Sequence, residues 1–113
     1  MTKEQRTKLL KPITIQDVKS ESFFCVYEDL YIDEKNLYPE LSQEAKIVYF
    51  IMRNKAAILN KAVINFSIKE IIKYERCSEQ KAKALIDQLV NAGLISVNPK
   101  TNEIKMFLYK GEN

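Results

Sequence analysis

The side chains best suited to bind a polar or charged partner are lysines, amides and hydroxyls in the second half of the chain. Amide and ammonium groups on one helix can hydrogen-bond to base edges, and lysines on neighbouring elements can contact phosphates. The sequence therefore predicts a DNA-binding surface, with candidate residues Ser78, Gln80, Lys81, Lys83, Lys69, Lys73, Arg76, Lys100, Asn102 and Lys105. Any one of these lysines taken alone could be a solubilising residue, so the prediction depends on their grouping.

Two helices must position most of this group. Ser67 followed three residues later by Glu70 is a capping box, which predicts a helix start. Ser78 is a second helix start, and its hydroxyl and the helix N-terminus could hold a phosphate. Gly93 is typical of the left-handed residue that ends a helix. The short interval between the two helices indicates a helix-turn-helix rather than a parallel hairpin.

Strands are predicted on both sides of this helix pair. Residues 63–66 form one strand, and residues 94–97 and 104–109 form two more around a turn at 99–103. A helix-turn-helix followed by a hairpin is the order of a winged helix-turn-helix, whose second helix usually enters a DNA groove. The predicted fold class is therefore α+β, a winged helix-turn-helix with about three main helices, a small antiparallel sheet and an N-terminal extended segment.

Charge is distributed unevenly along the chain. Residues 1–12 hold four basic and one acidic side chain, residues 13–45 two basic and eight acidic, and residues 46–113 twelve basic and six acidic. The basic part coincides with the helix pair and the hairpin, as phosphate binding requires. The acidic part would repel a duplex, so it faces elsewhere or is a solvated surface. We predict a flexible basic arm at 1–12 and a single domain at 13–113.

The composition argues against an enzyme and against a bound cofactor or metal. The chain has no histidine, so the usual general base and metal ligand is missing. Its two cysteines, Cys25 and Cys77, cannot complete a four-ligand zinc site, and its two glycines cannot form a phosphate-binding loop. No apolar run approaches the ~18 residues of a membrane span, and no signal peptide opens the chain. A reduced, cytoplasmic protein is expected.

A third helix is predicted from Ser42 to about Asn54, with residues 55–62 as a linker or a helix extension. It contains six consecutive apolar residues, 47–52, so it is either central to the fold or shared with a partner. Before it, residues 22–27 predict a short strand or buried extended segment, and residues 28–32 one helical turn. Dimerisation is one alternative to burial; the candidate interface residues are Phe23, Phe24, Tyr27, Ile47, Phe50 and Ile51.

Four stretches also match a known pattern: FFCVYEDL (23–30), YPELSQEAKIVYFIMRN (38–54), FSIKEI (66–71) and CSEQKAKALIDQLVNAGLI (77–95). They resemble the N-terminal winged-helix domain of the plasmid replication initiator A family of low-GC Gram-positive bacteria, or a small stand-alone relative of it. The resemblance implies DNA binding in the replication of a plasmid or other mobile genetic element. An adaptor that grips a polymerase, primase or helicase is the alternative, and a transcription regulator a third.

The small number of arginines limits how tightly such a protein could recognise a specific DNA sequence. Arg6, Arg53 and Arg76 are the only arginines, and arginine makes the commonest bidentate contact to guanine. Weak or non-specific binding to duplex DNA, or binding to single strands, fits this inventory better than tight operator recognition.

Overall fold

The computed structural model describes residues 2–20 and 38–109 and folds them as an α+β protein with a small antiparallel sheet. The predicted strand at 22–27, the predicted helical turn at 28–32 and the interface candidates Phe23, Phe24 and Tyr27 lie outside these residues. In chain order the described elements are α1 (Lys3–Leu9), β1 (Leu10–Pro12), α2 (Ile15–Ser20), α3 (Gln43–Leu59), β2 (Val63–Asn65), α4 (Ile68–Glu75), α5 (Glu79–Asn91), β3 (Ile95–Val97) and β4 (Glu103–Tyr109).

The predicted helix starts are confirmed by their hydrogen bonds. Ser42 Oγ accepts from the amide of Ala45 at 3.1 Å, and Ser78 Oγ accepts from the amide of Lys81 at 3.1 Å. The capping box of Ser67 is formed reciprocally with the residue three positions on. Each bond satisfies an amide that the first helical turn leaves without a partner. α3 runs past the predicted end and stops at Leu59, which makes part of 55–62 a helix extension.

The sheet is organised around β4. Both β2 and β3 pair with Ile104, so they lie on opposite edges of β4. The amide of Phe107 donates to Leu94, whereas the carbonyl of Met106 accepts from the amide of Ile13. Since neighbouring residues of a strand direct their hydrogen-bonding groups to opposite edges, β1 lies on the edge opposite β3. β1 and β2 therefore lie end to end along one edge of β4.

α3 passes through the middle of the core, one of the two alternatives that its apolar run left open. Tyr49 and Met52 are buried there with Leu85 and Leu89 of α5 and with Met106 of β4. A helix with apolar residues on most of its sides is stable only when most of those sides are buried. The central position of α3 thus accounts for the unusual run.

One charged residue of α3 is buried as well. Arg53 is almost fully buried, and its Nη1 donates to Tyr49 Oη at 2.8 Å. The Tyr49 hydroxyl in turn donates to the carbonyl of Phe107, which links α3 to β4. Burial lowers the pKa of Arg53 to about 10, and the charge of Asp17 opposes that shift.

The N-terminal segment forms regular secondary structure instead of the predicted flexible arm. Residues 3–12 form α1 and β1, and β1 pairs with β4. The side chain of Arg6 is only 2% exposed and forms an ion pair with Glu40. Its Nη2 donates to the carbonyl of Ala92 at 3.1 Å, and its guanidinium lies 4.8 Å from the ring centroid of Tyr38. Composition alone suggested an arm because the basic side chains of 1–12 resemble solvated ones.

Gly93 ends α5, as the sequence predicted, and it also allows β1 to pack closely against the end of this helix. Its φ of +80° is the left-handed conformation that ends α5. A Cβ at this position would lie 3.2 Å from Cδ1 of Leu10, so the glycine also admits β1 against the end of α5. Both features disfavour a larger side chain at this position.

Replacing Arg6 with alanine is expected to lower the free energy of unfolding by about 2 kcal/mol, because the Ala92 carbonyl and the Glu40 carboxylate lose a buried donor. Urea unfolding followed by circular dichroism measures the change. The matched control is Lys8→Ala, an exposed basic residue on the same helix, with an expected change within about 0.5 kcal/mol. Equal unfolding midpoints for the two variants would contradict a structural role for Arg6.

Candidate nucleic-acid interface

α5 lies on the surface with one face in the core and one in solvent. Its buried residues are Ala82, Leu85 and Leu89. Successive residues of an α-helix turn by about 100°, so the opposite side of α5 carries a different set of side chains. These are all exposed and form what we term the outward ridge: Gln80, Ala84, Asp87 and Asn91. The part of α5 available to a groove of DNA is therefore this ridge.

The two lysines of α5 lie beside the ridge and are both paired with carboxylates. Lys81 Nζ lies 3.0 Å from Glu44 Oε2, on the side of α5 that faces α3. Lys83 Nζ lies 3.5 Å from Glu79 Oε1, one turn earlier on α5. Exposed pairs of this kind are worth only ~0–1 kcal/mol and can open. Each pair is nevertheless neutral as a unit, so it attracts phosphate less than a free lysine would.

A groove separates the start of α4, the first half of α5 and the β3–β4 hairpin (residues 95–109). It has a volume of about 770 Å³. Its rim brings together three predicted DNA-binding residues from three different elements, namely Lys69, Lys83 and Asn102. The other polar residues of the rim are Ser67, Glu79 and Asp87, and the apolar lining is Phe66, Ile68, Ile72, Ile86, Val97 and Ile104. The rim is thus mixed in charge and the floor is apolar.

The remaining predicted cations lie around this groove but not in it. Lys100 and Lys105 line a second, shallower concavity on the hairpin, together with Glu103. Lys73 and Arg76 are exposed on α4 and on the turn that follows it. Among the described residues, no carboxylate lies within 4 Å of the charged groups of Lys69, Lys73, Arg76, Lys100 or Lys105. These five cations, rather than those of α5, supply the net positive charge of this side.

Gln88 has a structural role that the sequence did not indicate. Its Oε1 accepts from the amide of Ser42 at 2.9 Å, so it caps the start of α3 from the neighbouring helix. Spacing along α5 leaves Gln88 off the core face, and it therefore resembles a free surface amide. A signal for the contact would need the position of α3, which no local pattern supplies.

Two aromatic residues near the candidate interface differ in burial. Phe107 is half-buried and packs against the core. Tyr74 is 59% exposed on the outer side of α4. α4 is a short helix whose fully buried residue is Ile71, so few of its side chains can be covered.

Three candidate partner residues of α3 are described. Ile47 is 39% exposed, as a shared surface requires. Phe50 and Ile51 are half-buried against the core, so only part of their surface is open to another chain. An interface on this side of α3 would depend mainly on Ile47 among these three.

No protein-family model, curated protein or solved structure matches this chain, so the resemblance to the initiator family stays a prediction. Within residues 2–20 and 38–109, no helix is both long and apolar enough to cross a membrane. The same residues contain no cluster of three or more cysteine, aspartate and glutamate side chains that could hold a metal ion.

Two glutamines of α5 should respond differently to substitution. Gln88→Ala is expected to lower the free energy of unfolding by about 1 kcal/mol, since the amide of Ser42 loses its acceptor. Gln80→Ala removes an exposed side chain without a hydrogen bond in the described structure, so a change within about 0.5 kcal/mol is expected. Chemical denaturation of the two variants side by side makes the comparison. A loss of similar size in both would show that the contact to Ser42 is not stabilising.

Proposed function

We propose that this chain is a winged helix-turn-helix protein that binds DNA through α5, in the replication of a plasmid or other mobile genetic element. In this proposal α4 and α5 are the helix-turn-helix, and the β3–β4 hairpin is the wing. The observation that carries it is the exposed polar ridge of α5, which lies beside a groove whose other walls, α4 and the hairpin, carry unpaired cations. Lys69 lies at the start of α4, and Lys100 lies at the turn of the hairpin.

The electrostatics favour a moderate, salt-sensitive affinity. The unpaired cations suit contacts to phosphates, which position a protein without reading sequence. Glu79 and Asp87 on α5 oppose that attraction. The replication role rests on the resemblance of the quoted stretches to the initiator family. A transcription regulator would use the same surface. The genes that neighbour the gene for this chain would distinguish a transcription regulator from a replication protein.

An adaptor that binds another replication protein is a second candidate, and one observation favours it. The groove has an apolar floor of four isoleucines, a valine and a phenylalanine, and its rim includes two carboxylates. Apolar side chains of a protein partner fit such a floor better than sugar and phosphate do. The two candidates differ in what they predict for DNA at low salt.

DNA binding is tested by fluorescence anisotropy with a duplex of mixed sequence and with its single strand, over a range of about 50 to 300 mM salt. The affinity should fall steeply with salt. Lys69→Ala and Lys100→Ala should each weaken binding and reduce the slope of log affinity against log salt by about one. Lys8→Ala, an exposed lysine of α1, is the matched control and should leave the slope unchanged.

If neither DNA form binds at about 50 mM salt, the DNA-binding proposal is abandoned and the adaptor is retained. Binding with a slope that none of the lysine substitutions changes would show that DNA contacts another surface of the protein.

A further inference from the structure

We infer that α5 reads bases through Gln80 and Asp87 rather than through its lysines, so that the preferred duplex carries adenine at one position and cytosine at another. This inference rests on the proposed DNA binding. It assigns the sequence-reading role to two residues on the outward ridge, one of which, Asp87, was not among the predicted DNA contacts.

The positions of the two residues follow from the buried face of α5. Gln80 and Asp87 lie about two turns apart and nearly in line, directly opposite Leu85 and Leu89. Their Cα atoms are therefore about 10 Å apart along the helix axis, a separation that lets one recognition helix reach base pairs two to three positions apart. Ala84 lies between them with only a methyl group, which lets the helix approach closely and can contact a thymine methyl.

Both side chains are free to make these contacts. Neither forms a hydrogen bond or an ion pair within the described residues. By contrast, Gln88 caps α3, Lys81 is paired with Glu44, and Lys83 is paired with Glu79. The structure therefore distinguishes Gln80 from Gln88, which are equivalent by composition alone.

The chemistry of the two side chains assigns a base to each. A glutamine amide both donates and accepts, which matches the N6 and N7 atoms of adenine in the major groove. A carboxylate only accepts, so it matches the N4 amino group of cytosine and is repelled by the O6 of guanine and the O4 of thymine. A carboxylate near phosphates is unfavourable, and Asp87 therefore selects against wrong bases more than it adds affinity.

The test is a selection from a randomised duplex library with the full chain, followed by affinity measurements on the selected site. The wild type should enrich adenine and cytosine about three base pairs apart, and exchanging either base should weaken binding about tenfold. Gln80→Ala should lose the adenine preference and keep the cytosine preference. Asp87→Ala should lose the cytosine preference and bind random DNA at least as tightly as the wild type.

The control is Lys100→Ala, which should weaken binding to all duplexes alike and leave both preferences intact. Circular dichroism of each variant checks folding, which substitution at two exposed positions should not disturb. Duplex binding without base preference, or preferences that survive both substitutions, would overturn this inference and leave the DNA-binding proposal standing. Absence of binding to any duplex would overturn this inference, and absence of binding to the single strand as well would overturn both.

Discussion

Burial of Leu85 and Leu89 is the constraint on which the rest of the candidate site depends. These leucines hold α5 against α3, and exposing either one would cost about 1.5–3 kcal/mol. α5 therefore cannot rotate about its axis, and the side chains that face solvent are fixed by those that do not. The hydrogen bond from the Ser42 amide to Gln88 adds a directional contact to the same packing. The chemistry of the outer face is in this sense determined by the core.

β4 has the corresponding role for the sheet. It pairs with β2 and β3 along one half and with β1 along the other, so segments from both ends of the described chain meet on a single strand. The Tyr49 hydroxyl joins this strand to α3 through the carbonyl of Phe107. The hairpin that flanks the groove is thus one end of a strand whose other end is anchored in the core.

Local signals in the sequence predicted the helix starts, the hairpin and the glycine after α5, because each depends on residues within a few positions of one another. Contacts between distant segments were not predictable in this way. Arg6 resembles a solvated residue until Glu40 and the end of α5 are placed beside it. The ion pair of Lys81 with Glu44 was not predictable for the same reason, since Glu44 belongs to another helix. The difference between Gln80 and Gln88 likewise arises only from the three-dimensional arrangement, which places Ser42 beside one of them.

The attachment of β1 to β4 has a consequence for the behaviour of this chain in solution. β1 covers the backbone groups of residues 107–109 on the edge opposite β3. A chain cleaved just before Ile13 would leave those groups unpaired beside the apolar side chains of the sheet. Bare strand edges of this kind recruit strands from other molecules. Loss of these twelve residues would therefore convert a self-contained sheet into a template for aggregation.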